Sequence, residues 1–560
     1  MKWFYLFVFV ILFNVSLFGQ NNEYYFRFNL NNRSELQTLS SVISIDNIEG
    51  NTVYAYANDN EFLRFLMYKY DYEMLPHPGS LINPKMSSTP DEIRDWDTYP
   101  TYEGYVAMMY QFQSLYPNLC KIDSIGPTVQ GRKLLFAKIS DNISTKEPEP
   151  QFMYTSSMHG DETTGYVLML RLIDYLLTNY GTDPIVTYLV NNMEIWINPL
   201  ANPDGTYYGG NHTVNNARRY NANNKDLNRN FPDPRVGPYP NGPWQPETIA
   251  MMNIALANHF VMSANFHGGV EVVNYPWDTW SRLTADNNWW FYVSRQYADT
   301  VHANCPPGYM NYLNNGITNG YAWYQIEGGR QDYMCYFQRG RECTIEISDT
   351  KLLPPSQLPA HWTYNYKSFL NYMRKALYGI TGTVTDSVTG NPVEAKVTIS
   401  FHDLDSSEVY SDSLFGKYYR LLYGGTYTLQ FAAPDYYTKT ISGVFVKNDS
   451  TTVLNVQLRP TSTPIAINEN NTPKEFSLFQ NYPNPFNPGT TIEFDIPKTA
   501  LTNLIIYDAL GREIATLVNG ELTAGKYKVN WNAGSYSSGI YYYQIISKNF
   551  QETKRMALLK

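Results

Sequence analysis

Residues 152–177, FMYTSSMHGDETTGYVLMLRLIDYLL, combine an apolar strand, a polar turn and an apolar helix. The run 152–157 has the length and composition of a strand buried on both faces, and 166–177 those of a covering helix. Ligands of α/β sheets bind just beyond the carboxyl ends of the strands. His159 and Glu162, which occupy the turn in an H-x-x-E pattern, are therefore predicted to lie in a functional site.

The same alternation extends from residue 99 to residue 378 and defines the main domain. Short apolar runs predict strands at 134–139, 193–198, 264–266 and 344–347. Longer runs predict helices at 102–115, 247–259, 288–302 and 362–377. Alternating strands and helices predict an α/β domain with a largely parallel sheet.

The composition limits the class of protein. The 560 residues exceed the roughly 250–300 that one hydrophobic core supports, so we expect several domains. An apolar content of 43% excludes a mainly disordered chain. A net charge of −9 without a basic run argues against nucleic acid as a partner. Four cysteines exclude a disulfide scaffold, and whether and how they pair is open.

The N terminus predicts export. Lys2 precedes an apolar run at 3–19, which is typical of a secretory signal peptide covering residues 1–19. The alternative, a membrane anchor, is disfavoured because the run is short and no basic flank follows it. No later stretch is long and apolar enough to cross a bilayer. We therefore expect a mature protein without a transmembrane segment, outside the cytoplasm.

Residues 20–98 are predicted to form a small α+β segment followed by a linker. Strands are expected at 24–30 and 52–57, and helices at 34–44 and 61–70. The linker at 75–95 is rich in proline, and such linkers remain extended and open to proteases. Two interpretations are open, a removable pro-segment and a retained accessory domain.

Beyond residue 378 the periodicity changes to that of β structure. Alternating apolar residues predict a small β-sandwich at 379–460. A polar, Pro-containing linker follows at 461–475, and a second small β domain is predicted at 476–560.

Three residues have the chemistry and the positions of metal ligands. His159 and Glu162 lie on one side of a turn, and His267 follows the predicted strand 264–266. Two histidines and one glutamate that leave the fourth position open are the ligand set of a catalytic Zn²⁺. His259 is a rival third ligand, although its place at the end of a predicted helix favours a structural role.

The polar segment RRYNANNKDLNRNFPD, residues 218–233, supplies groups that suit an anionic substrate. Adjacent amide and guanidinium groups, Asn228 and Arg229, match the geometry of a carboxylate. Arg219 precedes them in the same loop. Glu346 lies inside the predicted apolar strand TIEIS, where an acid is either paired with a cation or placed for proton transfer near a metal.

Six blocks in this order resemble the zinc metallocarboxypeptidases, specifically the regulatory branch that includes carboxypeptidases E, N, M and D. They cover residues 99–378 and are HGDE, NPDG, NANNKDLNRNFPD, HGGVEVVNYPWD, NGYAWYQIEGGRQDY and CTIEIS. The resemblance implies a mixed sheet flanked by helices, one Zn²⁺, and hydrolysis of the C-terminal bond of peptides and proteins.

The resemblance also implies roles for eight residues of one site. These are zinc ligation by His159, Glu162 and His267, polarisation of the scissile carbonyl by Arg219, proton transfer by Glu346, and capture of the substrate's terminal carboxylate by Asn228, Arg229 and Tyr324.

Two further residues match positions that line the terminal-residue pocket in basic-specific members of the branch. Asp278 ends NYPWD, and Gln331 lies in GGRQDY. A carboxylate at the floor of such a pocket predicts a preference for C-terminal Lys or Arg. The chain departs from the branch at Arg330, where an apolar residue is usual and where a cation could neutralise Asp278. It also departs at Asn224-Lys225, which replaces a Gly-hydrophobe pair.

The C-terminal modules add two resemblances. Residues 379–460 are similar to the transthyretin-like domain that follows the catalytic domain in this branch. Residues 476–560 resemble the sorting domain of the type IX secretion system through FQNYPNPFNPGTTIEFDI, YDALGREIATL and SGIYYYQI. The type IX machinery is thus an expected partner, with export through the periplasm to the medium or the cell surface of a bacterium with two membranes. The alternative for this module is a plain adhesive β-sandwich.

Two other functions compete with a carboxypeptidase. A zinc amidohydrolase acting on cell-wall peptides could use the same metal and the same carboxylate grip. A catalytically inactive binding module is also possible, but it is expected to have lost Glu346 or a metal ligand, and all four residues are present.

Overall fold

The computed structural model describes residues 22–461, 465–467, 473–534 and 536–560. The predicted signal peptide and much of the predicted linker at 461–475 lie outside these residues. The chain forms two compact units. The first comprises residues up to 378 together with Leu404–Ser407 and Leu421–Tyr423, and the second comprises the remainder.

The N-terminal segment is a four-stranded antiparallel sheet with helices. Its strands in spatial order are Ser44–Glu49, Thr52–Asn58, Glu23–Asn29 and Tyr72–Met74. The helices are Leu36–Ser40, which follows a 3₁₀ turn at Arg33–Glu35, and Asp59–Leu66. The helix predicted at 34–44 is wrong at its end, because Ser44 begins a strand. The strand Tyr72–Met74 was also missed.

Local chemistry explains the second helix of this segment. Asn58 accepts a hydrogen bond from the backbone of Glu61, and the Glu61 carboxylate accepts one from the backbone of Asn58. This capping box satisfies two N–H groups that the first turn of a helix leaves unpaired. Phe65 then packs against Phe26 and Phe28 of the central strand. An aromatic core thus ties the helix to the sheet.

The predicted linker at 75–95 is more ordered than its proline content indicates. It contains a 3₁₀ turn at Pro78–Ser80, the strand Met86–Ser87 and the helix Pro90–Ile93. The backbone N–H of Asn216 donates to the Gly79 carbonyl, so part of the linker lies against the main domain. Residues 66–69 and 71–74, just before it, are exposed. The stretch most open to proteases therefore precedes the prolines.

The main domain contains an eight-stranded mixed sheet. Its strands in spatial order are Ile317–Asn319, Val270–Tyr275, Arg341–Ser348, Phe260–His267, Gln151–Ser156, Glu194–Asn198, Lys133–Ile139 and Cys120–Pro127. The four strands from Arg341–Ser348 to Glu194–Asn198 are parallel, whereas the last two pair antiparallel. The predicted α/β fold with a parallel centre is confirmed. The strands Cys120–Pro127, Val270–Tyr275 and Ile317–Asn319 were not predicted.

Helices and turns surround this sheet. The α-helices are Tyr102–Leu115, Thr164–Asn179, Pro184–Val190, Pro203–Thr206, Pro246–Ala257, Asn287–His302, Tyr312–Gly316, Gly320–Trp323, Arg330–Tyr336 and Leu358–Lys375, and the 3₁₀ turns are Leu227–Arg229 and Pro355–Gln357. The core lies between sheet and helices. Tyr154, Phe266 and Phe369 are fully buried there and pack on one another.

The second unit consists of β structure. The first group of strands is Gly379–Asp386, Lys396–Ile399, Val409–Tyr410, Lys417–Arg420, Gly425–Ala432, Lys439–Val446, Thr451–Val453 and Val456–Leu458. The second group is Ile465–Ile467, Ser477–Leu478, Gly489–Ile496, Ala500–Tyr507, Glu513–Leu522, Gly525–Asn532, Gly539–Ser547 and Phe550–Leu558. Each group forms two four-stranded sheets, as in a β-sandwich.

Two features bear on the expected compartment. The part of the chain that the structure describes holds no helix long and apolar enough to cross a membrane. All four cysteines, Cys120, Cys305, Cys335 and Cys343, are free thiols.

Candidate active site

Three neighbouring parallel strands deliver the proposed catalytic residues to one edge of the sheet. His267 ends the strand Phe260–His267 and lies directly opposite Glu346 in the register of the adjacent strand. On the other side, Phe266 pairs with Ser156, after which the chain turns through His159 to Glu162. The parallel arrangement thus converts three distant sequence motifs into one cluster, as the position of ligand sites in such sheets predicts.

His159, Glu162 and His267 converge in the arrangement expected of metal ligands. The Nδ1 atoms of the two imidazoles are 3.1 Å apart. Glu162 Oε1 lies 2.9 Å from His159 Nδ1, and Oε2 lies 2.8 Å from His267 Nδ1. All three side chains are buried. Two histidines and one glutamate are the donor set of a catalytic zinc site, so these residues fit the ion.

The rival ligand His259 lies elsewhere. It immediately precedes the strand Phe260–His267, at the end opposite to His267. Because each strand residue advances about 3.3 Å, the two histidines are roughly 25 Å apart along the strand. His259 therefore does not belong to this cluster.

Asp226 supports the cluster and was missed by the sequence analysis. Its Oδ1 lies 3.0 Å from His159 Nε2, on the side of the ring opposite to the proposed ligand atom. A carboxylate in this position fixes the tautomer and the orientation of a metal-binding histidine. Oδ2 accepts from Arg219 Nε at 3.1 Å. Asp226 lies two residues before Asn228 in the polar segment 218–233, and this position could have identified it as a residue of the site.

Glu346 is a buried acid next to this cluster. Its Oε2 has no hydrogen-bond partner among the described residues. Burial raises the pKa of Glu346 well above its ordinary value, and the neighbouring Glu162 carboxylate raises it further. A carboxyl group in such an environment is suited to exchanging a proton with a group in the pocket.

Arg229 lines the same pocket with a guanidinium group whose hydrogen-bond donors are only partly used by the described residues. Asp226 caps the 3₁₀ turn Leu227–Arg229 by accepting from the backbone of Asn228 at 2.8 Å. Nη1 of Arg229 donates to the Asn228 carbonyl, but Nε and Nη2 are buried and have no partner among the described residues. Buried guanidinium donors normally find acceptors. Two free donors on one edge of a guanidinium match the two oxygens of a carboxylate.

Asp278 lines the same pocket and is hydrogen-bonded by Gln331, which lies outside the pocket lining. Its Oδ1 accepts from Asn274 Nδ2 at 3.0 Å and from Gln331 Nε2 at 3.2 Å. Burial raises the pKa of Asp278 to about 6, although the Asn274 hydrogen bond and the Arg229 charge favour the anion. Gly320 is required beside it, because a Cβ there would stand 1.7 Å from Asp278 Oδ1.

The N-terminal segment reaches into the site from its edge strand Ser44–Glu49. Ser44 Oγ donates to Asp226 Oδ2 at 2.7 Å. Asp46 Oδ1 lies 2.7 Å from Lys351 Nζ and 3.6 Å from Arg219 Nη1. From the next strand, the Tyr56 hydroxyl donates to Asp161 at 2.6 Å. Nothing in the local sequence pattern indicated these contacts.

The N-terminal segment also makes apolar contacts with residues that line the site. Tyr324, Trp323 and Ile326 are buried within the core of the N-terminal segment, which also contains Ile45 and Phe26. The cavity that remains between the proposed catalytic residues holds about 20 Å³. This is enough for a water molecule but not for the end of a peptide.

Comparison with known proteins agrees with this arrangement. The zinc carboxypeptidase family model matches residues 105–368, the carboxypeptidase regulatory-like domain matches 379–459, and the secretion system C-terminal sorting domain matches 480–558. Human carboxypeptidase D is 36% identical over 436 residues, which are 75% of this chain and 30% of that protein. Mouse carboxypeptidase M is 35% identical over 62% of this chain and 81% of its own length.

The chain therefore belongs to the zinc carboxypeptidase family, whose members depend on zinc. It spans less than a third of the length of the carboxypeptidase D relatives. A solved structure, carboxypeptidase A from Helicoverpa armigera, matches with a TM-score of 0.50 at 17% identity and covers 63% of this chain and 97% of that one. That likeness supports the predicted fold.

Proposed function

We propose that this protein is a secreted metallocarboxypeptidase that removes single residues from the C termini of peptides and proteins. One observation carries the proposal: two donors of the buried Arg229 guanidinium have no partner among the described residues, and Arg229 lines the same cavity as Glu346 and the three-ligand cluster. A free terminal carboxylate would satisfy those donors and place the adjacent peptide bond near the cluster.

His159, Glu162 and His267 would hold one Zn²⁺, which supplies a Lewis acid and a water of lowered pKa when bound. Asn228, Arg229 and Tyr324 bind and orient the terminal carboxylate. Glu346 takes a proton from the attacking water and later passes it to the leaving amine.

Arg219 is assigned to the carbonyl oxygen of the scissile bond. Its guanidinium is held by Asp226 and Glu162, at 3.1 and 3.3 Å. A cation fixed in this way needs no rearrangement as negative charge develops on the oxygen.

A preference for terminal Lys or Arg follows from the presence of Asp278 in the pocket lining. Asp278 supplies a buried carboxylate, and Gln331 donates to it. A cationic side chain would pair with Asp278, whereas an apolar one would leave the acid buried and unpaired.

The N-terminal segment is proposed to be an inhibitory pro-segment. Ser44 and Asp46 hold groups of the catalytic site, and the cavity beneath them is too small for a peptide end. The turn at 67–71, between the helix Asp59–Leu66 and the strand Tyr72–Met74, is largely exposed and offers proteases a place to cut. Under the alternative, a retained accessory domain, cutting the chain there would leave activity unchanged.

Export is proposed to use both ends of the chain. Residues 1–19 would direct passage into the periplasm, and residues 476–560 would be recognised by the type IX secretion machinery. The match to a C-terminal sorting domain at 480–558 supports the second step. The exported protein would be released into the medium or displayed at the cell surface.

The test is to incubate the protein, before and after limited proteolysis, with peptides ending in Arg, Lys, Phe or Glu and to weigh the products. We expect loss of one terminal residue, fastest from Arg and Lys, and no loss in the presence of a chelator. Release of ammonia or cleavage of side-chain amides would favour the amidohydrolase. Binding without any product would favour an inactive module.

A further inference from the structure

Two cations of the main domain, Arg219 and Lys351, are paired with an acid that belongs to the N-terminal segment. Asp46 Oδ1 lies 2.7 Å from Lys351 Nζ and 3.6 Å from Arg219 Nη1, and the three side chains are at most 6% exposed. Lys351 also donates to Glu162 Oε1 at 2.8 Å and to the Gly268 carbonyl at 3.1 Å. The main domain therefore fixes the position of the ammonium group even without Asp46.

Asp46 and Lys351 border a second cavity that shares lining residues with the cavity at the cluster. Asp46 and Gly269 line the cavity that contains Glu346, and they also line this second cavity, of about 380 Å³, together with Lys351. Asp278 and Arg229 line only the first of these two cavities. A peptide whose last residue occupies the Asp278 side would leave the cluster toward Lys351 with its preceding residues.

We propose that Lys351 forms a carboxylate-binding subsite for one of the two residues that precede the terminal residue of the substrate. The proposal rests on the proposed carboxypeptidase function and on departure of the N-terminal segment. When Asp46 leaves, the ammonium group of Lys351 keeps Glu162 and the Gly268 carbonyl as acceptors but loses a carboxylate partner. An Asp or Glu side chain of the substrate restores the charge-assisted pair that Asp46 makes. Asp46 thus stands in for a substrate acid.

The test uses the full chain nicked by limited proteolysis in the turn at 67–71. Its substrates are peptides with the same terminal residue, in one series Lys and in another Phe. Within each series Glu replaces Gln at the last or the second-last position before the terminal residue. We expect kcat/KM to be about tenfold higher for Glu than for Gln at one of these positions, as for a hydrogen bond between charged groups.

Two variants then test whether Lys351 causes the preference for Glu over Gln. Lys351→Gln should reduce the Glu-to-Gln ratio toward one, whereas Lys367→Gln, at an exposed lysine on the helix Leu358–Lys375, should leave the ratio unchanged. The ratio measured with the unsubstituted protein tests the subsite without relying on the stability of a variant at a buried lysine. A ratio near one at both positions, with peptides still cleaved, overturns the subsite and leaves the carboxypeptidase intact. Absence of cleavage of every peptide overturns the proposed function and the subsite with it.

Discussion

The guanidinium of Arg330 pairs with the carboxylate of Glu342. Nε lies 2.9 Å from Oε1 and Nη2 lies 3.1 Å from Oε2, and both side chains are fully buried. The sequence had left open whether Arg330 neutralises Asp278. Because Glu342 holds the cation, Asp278 is bonded instead by the amides of Asn274 and Gln331.

Asp278→Asn should abolish the preference for basic termini. The substitution keeps the shape of the side chain but removes its charge, and loss of one partner of a buried ion pair costs about 3–5 kcal/mol. We expect kcat/KM for peptides ending in Lys or Arg to fall by two orders of magnitude or more, with peptides ending in Phe within a few-fold of the original. Asp91→Asn, at an acid that is 94% exposed, is the control. Equal losses on both kinds of peptide would contradict the assignment.

The same preference should depend on pH. Burial raises the pKa of Asp278 to about 6, so the carboxyl is protonated below that pH and anionic above it. The ratio of kcat/KM for Lys over Phe termini should therefore rise between pH 5 and pH 7 with a midpoint near 6, because kcat/KM reports the free enzyme. Loss of metal at low pH would lower both rates and leave their ratio unaffected. A flat ratio over this range would exclude Asp278 as the selective group.

Glu346→Gln should separate metal binding from turnover. The amide cannot accept the proton, and general acid–base catalysis contributes about 10²–10⁴-fold. We expect full zinc content by elemental analysis and a loss of activity of that size. His267→Ala should lose both, because only two of the three protein ligands remain. Near-normal turnover of the Gln variant would show that another group is the base.

Weakening the contacts of the N-terminal segment should raise the activity of the uncut chain. The double variant Ser44→Ala and Tyr56→Phe removes the hydrogen bonds to Asp226 and Asp161. Asp226 Oδ2 keeps Arg219 as a donor, whereas Asp161 Oδ2 loses the Tyr56 hydroxyl, and a buried acceptor left unpaired costs about 1–3 kcal/mol. Activity before proteolysis should increase several-fold and approach that of the cut protein. Thr52→Ala is the matched control, because its hydroxyl bonds Asn29 within the segment. Equal activity of the unsubstituted chain before and after cutting would indicate an accessory domain.

Deletion of residues 476–560 should affect location and not chemistry. The proposed catalytic residues all lie before residue 378, in the other compact unit. The purified truncated protein should therefore retain its activity, while fractionation of the producing cells should find it in the cell envelope. Normal appearance of the truncated protein in the medium would refute the sorting role.

The sequence predicted the centre of the site well because its residues follow short apolar strands. His267 was placed directly after a predicted strand and Glu346 inside one, and their pairing across the sheet follows from parallel order. Helix Tyr102–Leu115 was predicted to the residue, since Thr101 caps it. These features depend on local pattern alone.

The contacts between segments were not predictable in the same way. The strand Ser44–Glu49, SIDNIE, lacks a clear alternation, because Ser44 and Asp46 are polar residues that bind buried charged groups far away in the sequence. Asp226 was likewise overlooked, since its partner His159 lies 67 positions away. Local periodicity carries no information about such partners.

The apolar core of the N-terminal segment continues into the main domain through Trp323 and Ile326. The two parts therefore share one hydrophobic core, and removal of either part would take away side chains against which the other packs. Departure of the segment would expose Trp323 and Ile326 to water, so the shortened protein should melt at a lower temperature than its precursor. The segment would then act as a folding scaffold that is discarded, and a denatured sample of the shortened chain should refold poorly until the separate segment is added back.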